Sequence, residues 1–294
     1  MRALITGITG FTGRYVAAEL ERAGFDVHGL GANSLHGDDR YHQVNLMDIE
    51  GLRRCVDSVR PDVVVHLAAI AFVGHGDPEA FYRINLLGTR NLLLALSTSG
   101  RLPESVLLAS SANVYGNIAE GILDELTPPS PANDYAVSKL SMEYMARLWF
   151  DRLPITIVRP FNYTGVGQSD SFLLPKIVKH FRTRSDSIEL GNLDVWRDFS
   201  DVRAVANAYR RLLEVKPSGK VINVCSGHTH SLRGVLEIAE AITGHSIEVR
   251  VNPHFVRANE VRSLSGDPSL LKSFIGEWNS PPLEETLRWM LETA

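Results

Sequence analysis

The stretch Arg2–Gly13, which reads RALITGITGFTG, decides the fold. Its first five residues form an apolar run typical of a buried strand, and a helical pattern begins directly after the glycines. Gly7, Gly10 and Gly13 let the backbone turn tightly and approach a phosphate, whose charge the free N–H groups of a helix N-terminus stabilise. The pattern predicts a turn that binds the pyrophosphate of a dinucleotide, in preference to a turn that only connects strand and helix.

Apolar strand candidates alternate with helical stretches along the next part of the chain. Val63–Leu67, Ser105–Ala109 and Ile155–Arg159 are expected to be later strands of the same sheet. This alternation predicts an α/β fold, with a right-handed, doubly wound parallel sheet of the Rossmann type. Ala204–Leu213 has apolar residues at helical spacing and is expected to pack back on the sheet.

After residue 162 the composition shifts toward shorter elements. We expect a dinucleotide-binding domain over residues 1–165 plus about 198–225. A smaller C-terminal substrate lobe would then comprise residues 166–197 and 226–294.

The second strand, Asp26–Leu30, bears on the choice of dinucleotide. An acidic residue at the end of this strand would bind the adenosine ribose hydroxyls. None stands there, and Asn33 and then Arg40 follow instead. A 2′-phosphate would meet no carboxylate at that position, so the sequence favours NADP and leaves NAD open.

A second motif, Tyr135-Ala136-Val137-Ser138-Lys139, carries the chemistry. Positions i and i+4 share one helix face, so Tyr135 and Lys139 can point the same way. A phenol is a poor acid or base near neutral pH unless a nearby cation lowers its pKa, which is the role we expect of Lys139. Ser111, at the end of the strand Ser105–Ala109, would bond the same substrate oxygen. Taken alone the motif fits a solvated helix face better, but the dinucleotide turn reverses that preference.

These motifs resemble those of extended short-chain dehydrogenases/reductases of the NAD-dependent epimerase/dehydratase type. The resemblance covers nearly the whole chain and includes, in the same order, Val63–Ala69, Asn85–Thr89, Arg159–Asn162 and Asn223–Gly227. Further segments resemble the branch that acts on GDP-mannose derivatives: Leu190–Asp194, Arg197–Phe199, Arg257 with Glu260, and Gly266–Asp267.

The resemblance implies a set of residues that contact the dinucleotide. They are Gly7, Gly10, Phe11, Thr12, Gly13, Asn33, Arg40, Asn45, Leu46, Leu67, Ala68, Ala69, Ser110, Tyr135, Lys139 and Asn162. Asn45 stands where an aspartate usually faces the adenine, so its side-chain amide would take over that contact.

The implied substrate contacts are Ser111, Asn162, Lys176, Arg197, Arg257 and Glu260. Guanidinium groups suit bidentate contacts with a diphosphate. Each arginine can instead form a structural ion pair, and Glu260 can instead orient Arg262. Lys176 fits a plain amphipathic helix equally well.

The type of reaction depends on the residues between Ser111 and Tyr115. Removal of water from a hexose needs an additional acid/base group, which dehydratases of this branch carry there. Ala112 and Asn113 cannot ionise. The resemblance therefore implies a reductase that transfers a hydride from NAD(P)H to the C4 ketone of a GDP-4-keto-6-deoxy-hexose and gives a GDP-D-rhamnose-type product. A C4 epimerase with tightly bound NAD, a dehydratase, and a dinucleotide-binding protein without turnover remain the alternatives, and the intact set of Ser111, Tyr135 and Lys139 argues against the last.

Composition sets the remaining expectations. The chain has 294 residues, 44% hydrophobic content and a net charge of −4, which suits a large core and gives no reason to expect nucleic-acid binding. No apolar run approaches the roughly 20 residues that span a bilayer, and the start lacks a secretory pattern, so we expect a cytoplasmic protein. The two cysteines and ten histidines show no spacing that predicts a disulfide framework or a metal site. The resemblance implies a homodimer, formed by the helices after Asn85 and around Tyr135.

Overall fold

The computed structural model describes residues 1–35, 37–71, 76–116, 121–255 and 263–293. The strands in these ranges are β1 (Arg2–Thr6), β2 (Asp26–Gly31), β3 (Tyr41–Gln43), β4 (Val63–His66), β5 (Ser105–Ala109), β6 (Ile122–Leu123), β7 (Ile155–Pro160), β8 (Asn162–Thr164), β9 (Ser187–Leu190), β10 (Trp196–Asp201), β11 (Lys220–Val224), β12 (Thr229–Ser231), β13 (Glu248–Val251) and β14 (Ser263–Gly266). The α-helices are α1 (Phe11–Arg22), α2 (Ile49–Val59), α3 (Pro78–Phe81), α4 (Thr89–Ser97), α5 (Asp134–Arg147), α6 (Leu173–Arg182), α7 (Val202–Val215), α8 (Leu232–Thr243), α9 (Ser269–Ile275) and α10 (Leu283–Glu292). A π-helical segment, Tyr82–Gly88, joins α3 to α4, and 3₁₀ turns form at Ala112–Tyr115 and Pro253–Phe255.

The largest sheet has seven strands in the order β11-β7-β5-β4-β1-β2-β3, and every neighbouring pair is parallel. The expected doubly wound parallel sheet is thus confirmed. The strand order reverses between β1 and β4. At such a point the carboxyl ends of two adjacent strands open a crevice, which is where ligands bind in folds of this kind.

Helices cover both faces of this sheet, which explains why its central strands are apolar along their whole length. Residues of α1, α7 and α9 form one core with the strands, and residues of α2, α4 and α5 form the other. Val205 and Leu212 of α7 lie in the first core, so the prediction that this helix packs on the sheet is confirmed.

A second, mixed sheet holds β12-β10-β14-β6, with β8 paired to β10. Strands β9 and β13 form a separate parallel pair, and a core of α6, α8 and α10 residues packs beside it. The boundaries that the sequence suggested for the two lobes stay a prediction.

Two predicted properties can be read from the described residues. Cys55 and Cys225 are both free and buried. None of the helices in the described ranges has the length and apolar character needed to cross a membrane.

Candidate active site

The glycine-rich turn after β1 is held tightly against β4. Gly7 has φ +71°, and its N–H donates to the Leu30 carbonyl at 2.9 Å. A Cβ on Gly7 would lie 2.8 Å from the Ala68 nitrogen, and one on Gly13 would lie 2.2 Å from the Gly7 oxygen. Gly10 is the N-cap of α1 and has no side chain that could accept from the first N–H groups of the helix. These N–H groups are therefore available to bind an anion. This turn fits a dinucleotide pyrophosphate.

A chain of hydrogen bonds fixes the crevice between β1 and β4. The Thr6 hydroxyl accepts from the Ala68 N–H at 3.1 Å and lies 2.7 Å from His66 Nδ1, to which it donates because the ring proton of the neutral imidazole is on Nε2. His66 Nε2 then donates to the Thr89 hydroxyl at 2.8 Å, which donates to the Asn85 carbonyl at 2.6 Å. The imidazole is neutral, since burial, with a smaller effect of Lys139, lowers its pKa from 6.5 to about 3.

Further residues of the predicted cofactor set line the same edge of the sheet. Asn33 and Arg40 are exposed beyond β2, and the Asn33 carbonyl accepts from the Tyr41 hydroxyl at 2.7 Å. Asn45 is exposed and its Oδ1 accepts from the Met47 N–H at 2.9 Å, whereas Leu46 is buried. The half-buried residues Leu67, Ala68 and Ala69 directly follow β4.

Phe11 and Thr12 contact a residue that the sequence analysis did not single out. The Thr12 hydroxyl lies 2.8 Å from the Tyr163 hydroxyl, and the Phe11 and Tyr163 rings stack with centroids 6.1 Å apart. Tyr163 follows Asn162, which is exposed on β8 and donates through Nδ2 to the Asp198 carbonyl at 3.2 Å. Tyr163 directly follows the predicted site residue Asn162, and this position in the sequence is the feature that could have identified it.

Helix α5 carries the predicted catalytic pair. Asn133 caps this helix by accepting from the Ala136 N–H at 2.9 Å. Tyr135 and Lys139 are both buried on its inner face, as the i, i+4 spacing predicts. Ser111 is also buried, caps the 3₁₀ turn after β5 by accepting from the Asn113 N–H at 3.1 Å, and lowers the pKa of Tyr135.

The electrostatics of Tyr135 reflect its burial. The pKa of Tyr135 is raised to about 12, mainly by burial; Ser111 lowers it in part, and Tyr163 adds to the increase. The effect predicted for Lys139 on Tyr135 stays a prediction, because the causes that shift this pKa here are burial, Ser111 and Tyr163. The Lys139 ammonium donates to the Ala109 carbonyl at 2.7 Å, and desolvation controls the phenol. Tyr135 is a neutral phenol, the protonation state that a proton donor requires.

Lys139 is itself perturbed. Burial lowers its pKa from 10.5 to about 8, against the opposing attraction of Glu143. The pKa of Lys139 thus lies close to the pH range in which an enzyme works.

Glu143 is the main functional candidate that sequence reasoning missed. It is fully buried, forms an ion pair with Arg159 at 2.6 Å, and accepts from the Ser110 hydroxyl at 2.5 Å. A glutamate eight residues after Tyr135 falls on the same helix face, and this spacing was the signal that would have found it.

The predicted substrate residues lie on the smaller sheet and its neighbours. Arg197 is half-buried on β10, and its guanidinium donates to the Trp196 carbonyl at 2.8 Å. Lys176, on α6, donates to the Glu189 carbonyl at 2.7 Å and lies 4.7 Å from the Phe255 ring centroid. Arg257 and Glu260, together with Arg262, lie outside the described residues.

Neutral residues occupy the turn after Ser111. Ala112 is buried, and Asn113 is exposed with its N–H donating to the Ser111 hydroxyl at 3.1 Å. Among the residues that the structure describes, no group of three or more His, Cys, Asp and Glu side chains could hold a metal ion.

Comparison with known proteins assigns the chain to a family. The family model described as GDP-mannose 4,6 dehydratase matches residues 4–290. The chain belongs to this family. Its similarity to extended short-chain dehydrogenases/reductases, inferred from the motifs, is thereby confirmed.

Two curated relatives of this GDP-mannose 4,6-dehydratase family member are similar over almost their full length. GDP-6-deoxy-D-talose 4-dehydrogenase of Aggregatibacter actinomycetemcomitans is 34% identical, covering 94% of this chain and 92% of the relative. GDP-6-deoxy-D-mannose reductase of Pseudomonas aeruginosa is 34% identical, covering 99% and 96%.

Two solved structures share the fold. A Burkholderia cenocepacia protein, described provisionally as an epimerase, is 53% identical with a TM-score of 0.94, covering 99% of this chain and 97% of that one. RMD from Pseudomonas aeruginosa, solved with NADPH, is 32% identical with a TM-score of 0.86 and the same coverage.

Proposed function

We propose that this protein is a nucleotide-sugar reductase, which transfers a hydride from NAD(P)H to the C4 ketone of a GDP-4-keto-6-deoxy-hexose. One observation carries the proposal: the Tyr135 phenol and the Ser111 hydroxyl are both buried and interact, the phenol is neutral, and no ionisable side chain stands at Ala112 or Asn113. Reduction of a ketone needs one proton donor and one hydrogen bond to the oxygen, and this arrangement supplies both. The names of the two curated relatives support the same substrate class.

The dinucleotide, when bound at the glycine turn, supplies the hydride. Gly7, Gly10 and the first N–H groups of α1 bind its pyrophosphate, and Leu67 to Ala69 border the same crevice. We propose NADPH as the preferred form, because Asn33 and Arg40 follow β2 and RMD, a relative of known structure, was solved with NADPH.

In the proposed mechanism, each side chain of the catalytic set has one task. The Tyr135 hydroxyl gives its proton to O4 of the sugar, while the Ser111 hydroxyl bonds the same oxygen and stabilises its developing charge. The Lys139 ammonium favours the phenolate that remains on Tyr135 after the transfer. The hydrogen-bonded chain from Thr6 to Thr89 keeps the crevice in one shape.

Recognition of the nucleotide sugar is proposed for the residues around β10. Asn162 and Arg197 lie on strands β8 and β10, which pair with each other, and Lys176 stands on α6. We assign the diphosphate to Arg197 and Arg257, and a sugar or ribose hydroxyl to Glu260.

We also propose a homodimer, formed by α4, α5 and the π-helical segment. Cytoplasmic localisation stays a prediction from the sequence.

The decisive experiment mixes the purified protein with GDP-4-keto-6-deoxy-D-mannose and NADPH, and separately with NADH. Nicotinamide absorbance is followed while the sugar product is identified by NMR. We expect stoichiometric oxidation of the cofactor and one GDP-6-deoxy-hexose, with higher kcat/KM for NADPH. The configuration at C4 distinguishes a rhamnose-type from a talose-type product. Absence of oxidation with either cofactor would refute the reductase.

A C4 epimerase is the second candidate, and the similarity to the Burkholderia cenocepacia structure favours it. An epimerase oxidises and re-reduces its substrate, so it retains its dinucleotide and consumes none. Denaturing the purified protein and assaying released NAD(P) tests this. Near-stoichiometric bound cofactor, with interconversion of GDP-hexoses and no net oxidation, would replace the reductase with an epimerase.

A further inference from the structure

Three successive turns of α5 face three consecutive residues at the end of β5. Lys139 Nζ donates to the Ala109 carbonyl at 2.7 Å, Glu143 Oε1 accepts from the Ser110 hydroxyl at 2.5 Å, and Ser111 acts on the Tyr135 phenol, whose pKa it lowers. Residues that are four apart on the helix therefore face consecutive residues at the end of the strand. Because Ser110 precedes Ser111, whatever fixes Ser110 also fixes the backbone that presents Ser111.

Glu143 is in turn held by Arg159 on β7. The guanidinium donates twice, from Nη2 to Oε2 at 2.6 Å and from Nε to Oε1 at 2.9 Å. The two side chains are 0% and 4% exposed, so water does not screen their charges. Burial lowers the pKa of Arg159, but the hydrogen bonds and the charge of Glu143 outweigh it and raise this pKa, so Arg159 stays cationic.

Arg159 also anchors the far end of the turn that Ser111 caps. Its Nη1 donates to the Tyr115 hydroxyl at 3.0 Å, and that hydroxyl donates to Asn223 Oδ1 at 2.7 Å. The turn Ala112–Tyr115 is thus tied at both ends to one buried ion pair. Such a fully bonded network is costly to break in part, because a remaining unpaired charge would stay buried.

We propose that Glu143 is a positioning residue for the reaction, which fixes the strand end that presents Ser111 and supplies the negative charge opposite the Lys139 ammonium. The inference rests on the proposed function of the same site. It assigns a task to a buried carboxylate that touches neither of the proposed reacting groups.

The groups around Lys139 explain why Glu143 affects the charge of this lysine. The neighbours of Lys139 on α5 are Tyr135 and Glu143. Strand β4 contributes the neutral His66, and β5 contributes the Ala109 carbonyl. Arg159 on β7 lies behind Glu143. Within the described residues, Glu143 is the carboxylate whose attraction opposes the desolvation of Lys139. Glu143→Gln keeps the shape and an acceptor oxygen but removes the charge, so the pKa of Lys139 should fall further below about 8.

The first test measures that pKa directly and needs no substrate. The chain has six lysines, and Lys139 is the buried one among them, so ¹³C-labelled lysine gives a short NMR spectrum in which Lys139→Arg identifies its signal. We expect Glu143→Gln to lower the pKa of Lys139 by about one pH unit. An unchanged pKa in a folded variant would overturn the proposal. This result stands whether or not the wild-type protein proves to be a reductase.

Glu19→Gln is the matched control. Glu19 is also buried and accepts from Arg210 Nε at 2.9 Å and Asn207 Nδ2 at 3.0 Å, but on α1 and away from Lys139. It should leave both the pKa of Lys139 and kcat unchanged. A comparable change in this variant would show a general effect of breaking a buried ion pair and would overturn the proposal.

The second test is kinetic. We expect Glu143→Gln to lower kcat about tenfold or more, leave KM for NADPH within about twofold, and move the alkaline limb of the kcat profile to lower pH. If this variant fails to fold, Glu143→Gln combined with Arg159→Met removes both charges and leaves neither unpaired. That double variant should fold and still show the lower pKa of Lys139. Wild-type kcat and pH profile in either folded variant would refute the positioning role.

Discussion

Tyr135 is the residue on which the proposed proton transfer depends. Tyr135→Phe removes the donor but keeps the ring that packs against Phe81, with centroids 6.0 Å apart. We expect kcat to fall about 10²- to 10⁴-fold while the dissociation constant for NADPH stays within about twofold. Stopped-flow turnover and fluorescence titration of NADPH check the two quantities.

The control for that substitution is Tyr144→Phe. Tyr144 lies on the same helix but is 56% exposed, so its loss should leave kcat unchanged. Wild-type turnover in Tyr135→Phe would eliminate the assigned donor.

His66 gives a prediction about stability. Its pKa falls from 6.5 to about 3 on burial, so between these values the unfolded chain binds a proton that the folded chain does not. The neutral His66 makes its full contribution to the free energy of unfolding above pH 6.5. Below that pH, the free energy of unfolding drops by about 1.4 kcal/mol per pH unit as the pH falls. Urea unfolding at pH 6.5 and 5.5 measures this slope. His66→Gln should reduce it by about one proton, and equal slopes in both proteins would contradict the assignment.

Residue motifs predicted that Tyr135 and Lys139 share a buried helix face, but not their electrostatics. The spacing from Tyr135 to Lys139 placed both on one buried helix face, because helical periodicity is a local property. The pKa of Tyr135 depends on desolvation by the folded chain, and the ion pair of Glu143 depends on Arg159 from a distant strand. Spacing along one helix predicts neither the desolvation nor the ion-pair partner.

Among the elements, the central strands were predictable because each is a continuous apolar run. β1 and β5 have the predicted bounds, and β4 ends one residue earlier than expected, at His66. There the Leu67 N–H bonds the Thr6 hydroxyl at 3.2 Å and the chain turns over β1. The mixed sheet around β10 was not predicted, since its short strands pair residues far apart in sequence.

The glycine turn yields a prediction for one element, the start of α1. Gly13→Ala would place a methyl group 2.2 Å from the Gly7 oxygen, so α1 must move away from the turn. We expect at least a tenfold weaker affinity for NADPH and a lower urea midpoint. Calorimetric titration and unfolding curves provide the measurements.

Gly100→Ala is the matched control for that change. A Cβ at Gly100 meets no heavy atom within 4 Å, so affinity and midpoint should stay as in the wild type. A Gly13→Ala protein with unchanged NADPH affinity would refute the role given to the turn.

For the whole molecule, the proposed homodimer makes a prediction about assembly. Exposed apolar side chains lie on the π-helical segment (Leu87, 46% exposed), on α5 (Tyr144, 56%) and at the C-cap of α5 (Leu148, 77%). Leu148→Glu should convert a dimer into a monomer, because a charge in the centre of an apolar interface is costly. Light scattering coupled to size-exclusion chromatography measures the mass.

Leu126→Glu serves as the control, since Leu126 is 89% exposed but lies outside those helices. It should leave the dimer intact. A monomeric wild-type protein, or a dimeric Leu148→Glu protein, would refute the proposed interface.

The attachment of α5 to the end of β5 also bears on how the molecule comes apart. Strand β5 lies inside the seven-stranded sheet, between β7 and β4, and the bonds to Ala109 and Ser110 make α5 part of the same cooperative unit. Local opening events start where few buried contacts hold the chain, at exposed loops and edges. We therefore expect the proposed proton donor, Tyr135, and Ser111 to keep their arrangement until the sheet itself unfolds.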